Sequence, residues 1–266
     1  MVIIGFSITN HFSKHRPDGH KLLEQVLNGL VKNLNKIDNL WYYIIIKDNQ
    51  SDLLLDLIKY QREDINTFYT DQIKDQSIGG LTYAWNKSIK ELYDYNCEVI
   101  ISLNDDLIID ESINNFVNVI LNHEDNNTSL YGPVTSEGGA DRLQVRQNKS
   151  DLQETSGLKY GDEERQKLFK GYPLNGFAMG IKREAYEKFS VNGWLFSQDV
   201  RDMWGCQEDE FYLRNKPLGL KSYIVHSCYI KHIKQRSWKQ ARERYDHPRR
   251  TTLNYNSELQ IADCYK

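Results

Sequence analysis

The chain has 266 residues, with 34 Lys and Arg against 37 Asp and Glu and a formal net charge of −3. That length can bury a sizeable core, and the near balance of charge excludes a global field for nucleic acid or anionic lipid, so any phosphate must be held locally. Cys97, Cys206, Cys228 and Cys264 are too far apart for a CxxC zinc or thiol-exchange pair, and no apolar run is long enough for a membrane span.

Residues 2–8 are apolar and β-branched and predict a first strand rather than a secretory leader, which lacks here its basic start and long apolar stretch. A soluble, cytoplasmic protein is the resulting expectation. A polar loop carrying Asn10, His11, Lys14, His15 and Arg16 leads to residues 22–34, where Leu23, Val26, Leu27, Leu30 and Leu34 recur at helical spacing. A second strand is expected over 41–46, a turn over 47–52, a helix over 53–60 and a short third strand over 65–69. Gly79-Gly80 introduces a helix over 81–93, which feeds a strand beginning at Val99. This alternation predicts βαβ units and an α/β fold with a mixed, mainly parallel central sheet flanked by helices.

The strand Val99-Ile100-Ile101-Ser102-Leu103 ends in Asn104-Asp105-Asp106. Carboxylates at the carboxyl end of a central strand lie where open α/β sheets bind ligands, and hard oxygen donors of this kind suit Mg²⁺ or Mn²⁺. The same residues could equally form an Asx turn that caps the next helix. From 138 to 170 the chain is polar and highly charged and is expected to add little core. Order is expected to return over 172–181, with a helix over 183–189, one or two strands over 220–232 and a basic, tyrosine-rich tail beyond Trp238.

Four segments, in this order and spanning most of the chain, resemble the nucleotide-sugar-dependent glycosyltransferases of the GT-A fold, especially the inverting family 2. The first is Ile46-Lys47-Asp48-Asn49-Gln50-Ser51-Asp52, similar to that family's strand-ending Val-Asp-Asn-x-Ser-x-Asp. The resemblance gives Asp48 the donor's base as its partner. Read by itself, the stretch is a helix cap with Ser51 or Asp52 as N-cap. The second segment is Gly79-Gly80-Leu81-Thr82-Tyr83-Ala84-Trp85-Asn86-Lys87-Ser88, similar to a glycine-plus-helix element ending Ala-x-Asn-x-Gly. It implicates Asn86 and Lys87 in the donor pocket, with Ser88 replacing the usual glycine. The third is Leu103-Asn104-Asp105-Asp106, a DxD-like motif in which Asp106 corresponds to the principal metal ligand and Asn104 and Asp105 line the diphosphate and sugar.

The fourth segment, Trp204-Gly205-Cys206-Gln207-Glu208-Asp209-Glu210, resembles the acidic helix start that supplies the general base. Counting back from Arg214 selects Glu208, and matching the Glu-Asp pair selects Asp209; neighbouring helix positions diverge by about 100°, so only one can face the sugar. His232 falls where relatives place a strand-ending histidine able to reach the metal, with His226 as a nearby competitor. Thr9 and Asn10 are expected beside the nucleoside, and Asn175, Gly176, Phe177 and Trp204 around the sugar and acceptor.

The resemblance implies one GT-A domain over 1–266, with a nucleotide-sugar-binding half at 1–131, an acceptor-binding and catalytic half at 132–240 and a C-terminal tail at 241–266. It implies Mn²⁺- or Mg²⁺-dependent transfer of a sugar from a nucleoside diphosphate donor, with UDP as the default, to a hydroxyl of a glycan or other acceptor, with inversion. No nucleic-acid partner and no transmembrane segment are expected. The alternatives are a catalytically silent carbohydrate- or nucleotide-sugar-binding protein on the same scaffold, a retaining transferase, and a sugar-nucleotidyltransferase. The last disagrees with Ser7-Ile8-Thr9-Asn10-His11, which lacks the glycine-rich, arginine-containing loop of such enzymes.

Overall fold

The computed structural model describes residues 1–10, 18–48, 56–69, 80–124, 129–135, 144, 158–159, 174–196, 208, 211 and 214–233. Among these, the first half alternates as expected: β1 (Val2–Asn10), α1 (Gly19–Asn33), β2 (Leu40–Asp48), β3 (Ile65–Tyr69), α2 (Gly80–Asp94) and β4 (Val99–Asn104). There follow β5 (Leu107–Ile108), α3 (Ile113–Asn122), β6 (Ser129–Val134), β7 (Leu158–Lys159), β8 (Ala178–Lys182), α4 (Arg183–Phe189), β9 (Lys221–Tyr229) and β10 (Lys231–His232). Of the helix expected over 53–60, the described part is a single 3-10 turn, Leu57–Tyr60, capped by Asp56, whose Oδ1 accepts the Ile58 N–H at 3.0 Å.

Eight strands form one sheet in the order β3-β2-β1-β4-β8-β6-β9-β7, and β5 pairs with β10 separately. β1, β2, β3 and β4 are mutually parallel. β8 runs against both β4 and β6, and β9 runs with β6. The carboxyl ends of β1, β2, β4, β6 and β9 therefore meet the start of β8 along one edge. This mixed sheet joins the 1–131 and 132–240 stretches, because β8 inserts between β4 and β6.

Apolar residues on both faces of the central strands dictate the helix layers. Ile4, Phe6 and Ile8 of β1 pack with Leu23, Val26, Leu27 and Leu30 of α1 and with Ile113, Phe116, Val117 and Ile120 of α3. Ile3, Ile45 and Ile100 face the other way, onto Trp85, Ile89 and Leu92 of α2 and Ala185, Tyr186 and Phe189 of α4. Alternate strand positions point to opposite faces, so a strand covered by helices on both sides carries no polar stripe. Ser88 meets Ser7 where α2 crosses β1: the two Oγ atoms are 2.5 Å apart, and Ser88 Oγ donates to Ala84 O at 2.7 Å. The hydroxyl in place of the expected glycine is thus fully satisfied inside the core.

Arg62 and Asp64 lock the approach to β3. Arg62 Nε and Nη2 donate to Asp64 Oδ1 and Oδ2 at 2.5 and 2.8 Å, and Nη1 donates to Val31 O at 2.9 Å. The guanidinium holds the Asp64 carboxyl below the ordinary carboxylate range. A depressed folded pKa gives stability that is present above the unfolded pKa and is lost as pH falls through the folded one. Asp64→Asn is therefore expected to cost about 1–3 kcal/mol at neutral pH. Urea unfolding checks this: the gap from wild type should close as the pH drops below the carboxylate range.

Candidate active site

The parallel register sets three strand ends side by side, since Thr9 pairs with Asn104 and Lys47, and Asn10 pairs with Asp48. The sequence places β1's end at Ile8, but the strand continues through Thr9 and Asn10. Asn10 is 1% exposed, and neither end of its carboxamide, nor the Thr9 hydroxyl, has a hydrogen-bond partner among the described residues. Burying an amide without partners costs a few kcal/mol, so such a group is poised for a ligand. Asp48 closes β2 at the same level; its side chain lies outside the described residues.

Asp105 and Asp106 form the bend between β4 and β5, and both are buried. A second strand pair fixes the bend from above. His232 pairs with Leu107, Lys231 pairs with Ile108, and the Ile233 N–H donates to Asp106 O at 2.8 Å. This pairing brings His232 Nε2 to 3.1 Å from Asp106 Oδ1, a close contact of ring nitrogen and carboxylate oxygen that is out of line for a hydrogen bond. The histidine that reaches Asp106 is thus His232, while His226 lies within β9. The Phe177 ring stacks on the imidazole at 5.3 Å between centroids and 17° between planes.

The acidic helix start comes to the same place. Glu208 is helical, and its Oε1 accepts the Gly176 N–H at 2.8 Å. A Cβ on Gly176 would overlap that carboxylate oxygen and lie 2.6 Å from Trp85 Cη2, so only glycine lets the backbone approach so closely. Phe177, next in sequence, accepts the Asn104 N–H on its carbonyl at 2.9 Å, and its own N–H donates to Asn175 Oδ1 at 3.2 Å. An unbroken chain of contacts therefore runs from Glu208 through Gly176 and Phe177 to His232 and Asp106.

Asn86 and Lys87 stand apart from this chain. The Asn86 amide is spent on one backbone partner: its Nδ2 donates to Phe196 O at 2.7 Å, and its Oδ1 accepts the Phe196 N–H at 2.8 Å. Its role in the described structure is to clamp Phe196 against the Trp85 ring, 5.4 Å away. Lys87 lies on the outer flank of α2, opposite Thr82, Trp85, Ser88 and Ile89, which are buried. Trp204 and Asp209 lie outside the described residues. Two residues went unnoticed in the sequence, Thr135 and Gln144. Thr135 Oγ1 accepts the His232 N–H at 3.3 Å. Gln144 is fully buried within the 138–170 stretch that is expected to add little core.

Among the described residues, no three His, Cys, Asp or Glu side chains cluster as a ready-made metal cage. Asp106 and His232 would fit a divalent ion, since a buried carboxylate oxygen and an imidazole nitrogen face each other without an aligned hydrogen bond.

No protein-family model matches the chain, and no curated protein matches it by sequence. Solved structures resemble it in shape. GalNAc-T7 with UDP, GalNAc and Mn²⁺ superposes with a TM-score of 0.56 at 14% identity, over 88% of this chain and 44% of that one. TarS 1–349 of S. aureus superposes with a TM-score of 0.57 at 12% identity, over 91% of this chain and 64% of that one. The chain has the GT-A fold. It spans less than two thirds of the length of either neighbour. Asn10, Asp48 and Asn104 end their strands at the carboxyl edge of the sheet, the edge where open α/β folds commonly take ligands. No helix among the described residues is long and apolar enough to cross a membrane.

Proposed function

We propose that the chain is a metal-dependent glycosyltransferase that moves a sugar from a nucleoside diphosphate, UDP foremost, to an acceptor hydroxyl with inversion, as one GT-A domain. The contact chain from Glu208 through Gly176, Phe177 and His232 to Asp106 supports this reading, because it links a carboxylate to a carboxylate–imidazole pair suited to a metal. The UDP and Mn²⁺ named with GalNAc-T7 make that donor and ion the first to test.

Asn10, with its buried amide open to a partner, and Asp48 beside it hold the nucleoside. Asn104 and Asp105 flank the diphosphate. Asp106 and His232 hold the divalent ion, which when bound supplies Lewis acidity toward the departing nucleoside diphosphate. Glu208 or Asp209 takes the proton from the acceptor hydroxyl as its oxygen attacks the anomeric carbon from the face opposite the leaving group. For Glu208, the Gly176 N–H fixes one carboxylate oxygen and so orients the other. Asn175, Gly176, Phe177 and Trp204 line the sugar and acceptor.

Thermal unfolding with a panel of nucleoside diphosphates, with and without Mn²⁺, tests the reading. A ligand at about 100 times its Kd adds about 2.7 kcal/mol of stability, which raises Tm by roughly 5 °C or more in a domain of this size. The expected result is a rise for one nucleotide that depends on Mn²⁺, with slow hydrolysis of the matching sugar donor. Binding without hydrolysis or transfer would make the protein a silent binder instead. No response to any nucleotide would overturn the proposal.

A further inference from the structure

We infer that Gln144 is a positioning residue that sets the geometry of both halves of the active site, a role that rests on the transferase reading above. The residue sits in a stretch with almost nothing apolar to offer, yet it is fully buried and bonded through three of its polar atoms. Its Oε1 accepts the Asn175 N–H at 3.0 Å, its Nε2 donates to Pro133 O at 3.1 Å, and its backbone O accepts the Thr135 N–H at 2.7 Å. A Cβ on Gly132 would stand 2.7 Å from Gln144 Nε2, so that glycine on β6 leaves the space the side chain fills.

The Asn175 bond leads to one half of the site, and the Pro133 and Thr135 bonds, both at the end of β6, lead to the other. Asn175 precedes Gly176, whose N–H holds the Glu208 carboxylate. Thr135 follows β6, and its hydroxyl receives the N–H of His232, the residue that faces Asp106. A planar amide with a donor at one end and an acceptor at the other spaces these two segments as a rigid brace. Without it, the Asn175 N–H and the Pro133 carbonyl are left unsatisfied at a buried site and must move to find new partners. That movement displaces Gly176, and a displacement of about 1 Å at a reacting group can cost about 10²-fold in rate. The nucleoside edge at Asn10 and Asp48 lies across the sheet from this brace and is left in place.

The test compares wild type, Gln144→Leu and Gln144→Glu. Leucine keeps much of the volume and removes both side-chain bonds. A buried glutamic acid facing the Pro133 carbonyl takes up a proton and restores both, which makes it the conservative rescue. Two readouts are taken: amide hydrogen exchange over 174–177 and 231–233, and Mn²⁺-dependent turnover on a panel of UDP-, dTDP- and GDP-sugars. In Gln144→Leu, exchange should quicken at least about tenfold in both segments. Its kcat should fall about 10- to 100-fold with donor KM held within about threefold, and Gln144→Glu should recover most of both. Should the leucine variant fail to fold, the glutamate variant measured across pH decides, since ionising the acid must then speed exchange in the same two segments. Unchanged exchange overturns the brace whatever the activity. Faster exchange with unchanged kcat overturns its role in positioning. A wild type inactive on every donor, with the exchange pattern as expected, overturns the transferase reading and leaves the brace standing as a structural one.

Discussion

Asp106→Ala is expected to lower Mn²⁺-dependent turnover by at least about 10³-fold, the rate equivalent of about 4 kcal/mol of leaving-group stabilisation. The side chain is buried, and its Oδ1 stands 3.1 Å from His232 Nε2. The fold should survive the change, because the bend is held by the Asp106 carbonyl, which accepts the Ile233 N–H, and by the β5–β10 pairing. Asp106→Asn separates charge from shape. It keeps the volume and the contact with His232, yet should lose nearly as much activity, because a neutral amide is a poor ligand for a hard cation. Steady-state rates across a Mn²⁺ titration, with circular dichroism to confirm folding, check both variants. Full activity of Asp106→Ala in the presence of a chelator would remove the residue from the mechanism.

Gly176→Ala is expected to cost about 10²-fold in kcat while leaving donor KM nearly unchanged. The added methyl has no room: it would overlap Glu208 Oε1 and crowd the edge of Trp85, which is 2% exposed and cannot swing aside. The flexible carboxylate yields first, breaking the 2.8 Å bond from the Gly176 N–H and leaving the proposed base out of line. Overpacking of this kind also costs about 1–3 kcal/mol of stability. Donor hydrolysis and acceptor transfer should fall together. A variant that keeps wild-type kcat would show that Glu208 does not need this anchor and would shift attention to Asp209.

The end of β4 was readable from the chain because an apolar, β-branched run stops at Asn104-Asp105-Asp106, although the same residues also suited an Asx turn. The same logic found β2, an unbroken run of large apolar residues, and β3, rich in β-branched and aromatic ones. It stopped two residues short on β1, since Thr9 and Asn10 are polar and their place in the strand depends on pairing with Lys47, Asp48 and Asn104. The helix after the acids is α3, where Ile113, Phe116, Val117 and Ile120 form the helical stripe that packs on the sheet. Asn86 shows a harder limit. Its partner, Phe196, is 110 positions away, and nothing local says whether an amide on a helix faces a ligand or a backbone. Gln144 was illegible for the same reason, as one more polar residue in a polar stretch until β6 and the Asn175 segment close around it.

The pairing of β10 with β5 bears on how the protein matures during synthesis. His232 meets Asp106 only through this late strand, so every earlier strand of the sheet can emerge from the ribosome and pair while the cleft still lacks its imidazole. Contacts between such distant parts of the chain close slowly, because loop entropy is lost before any bond is gained. A chain truncated before Lys231 should therefore keep most of the sheet and lack the imidazole beside Asp106.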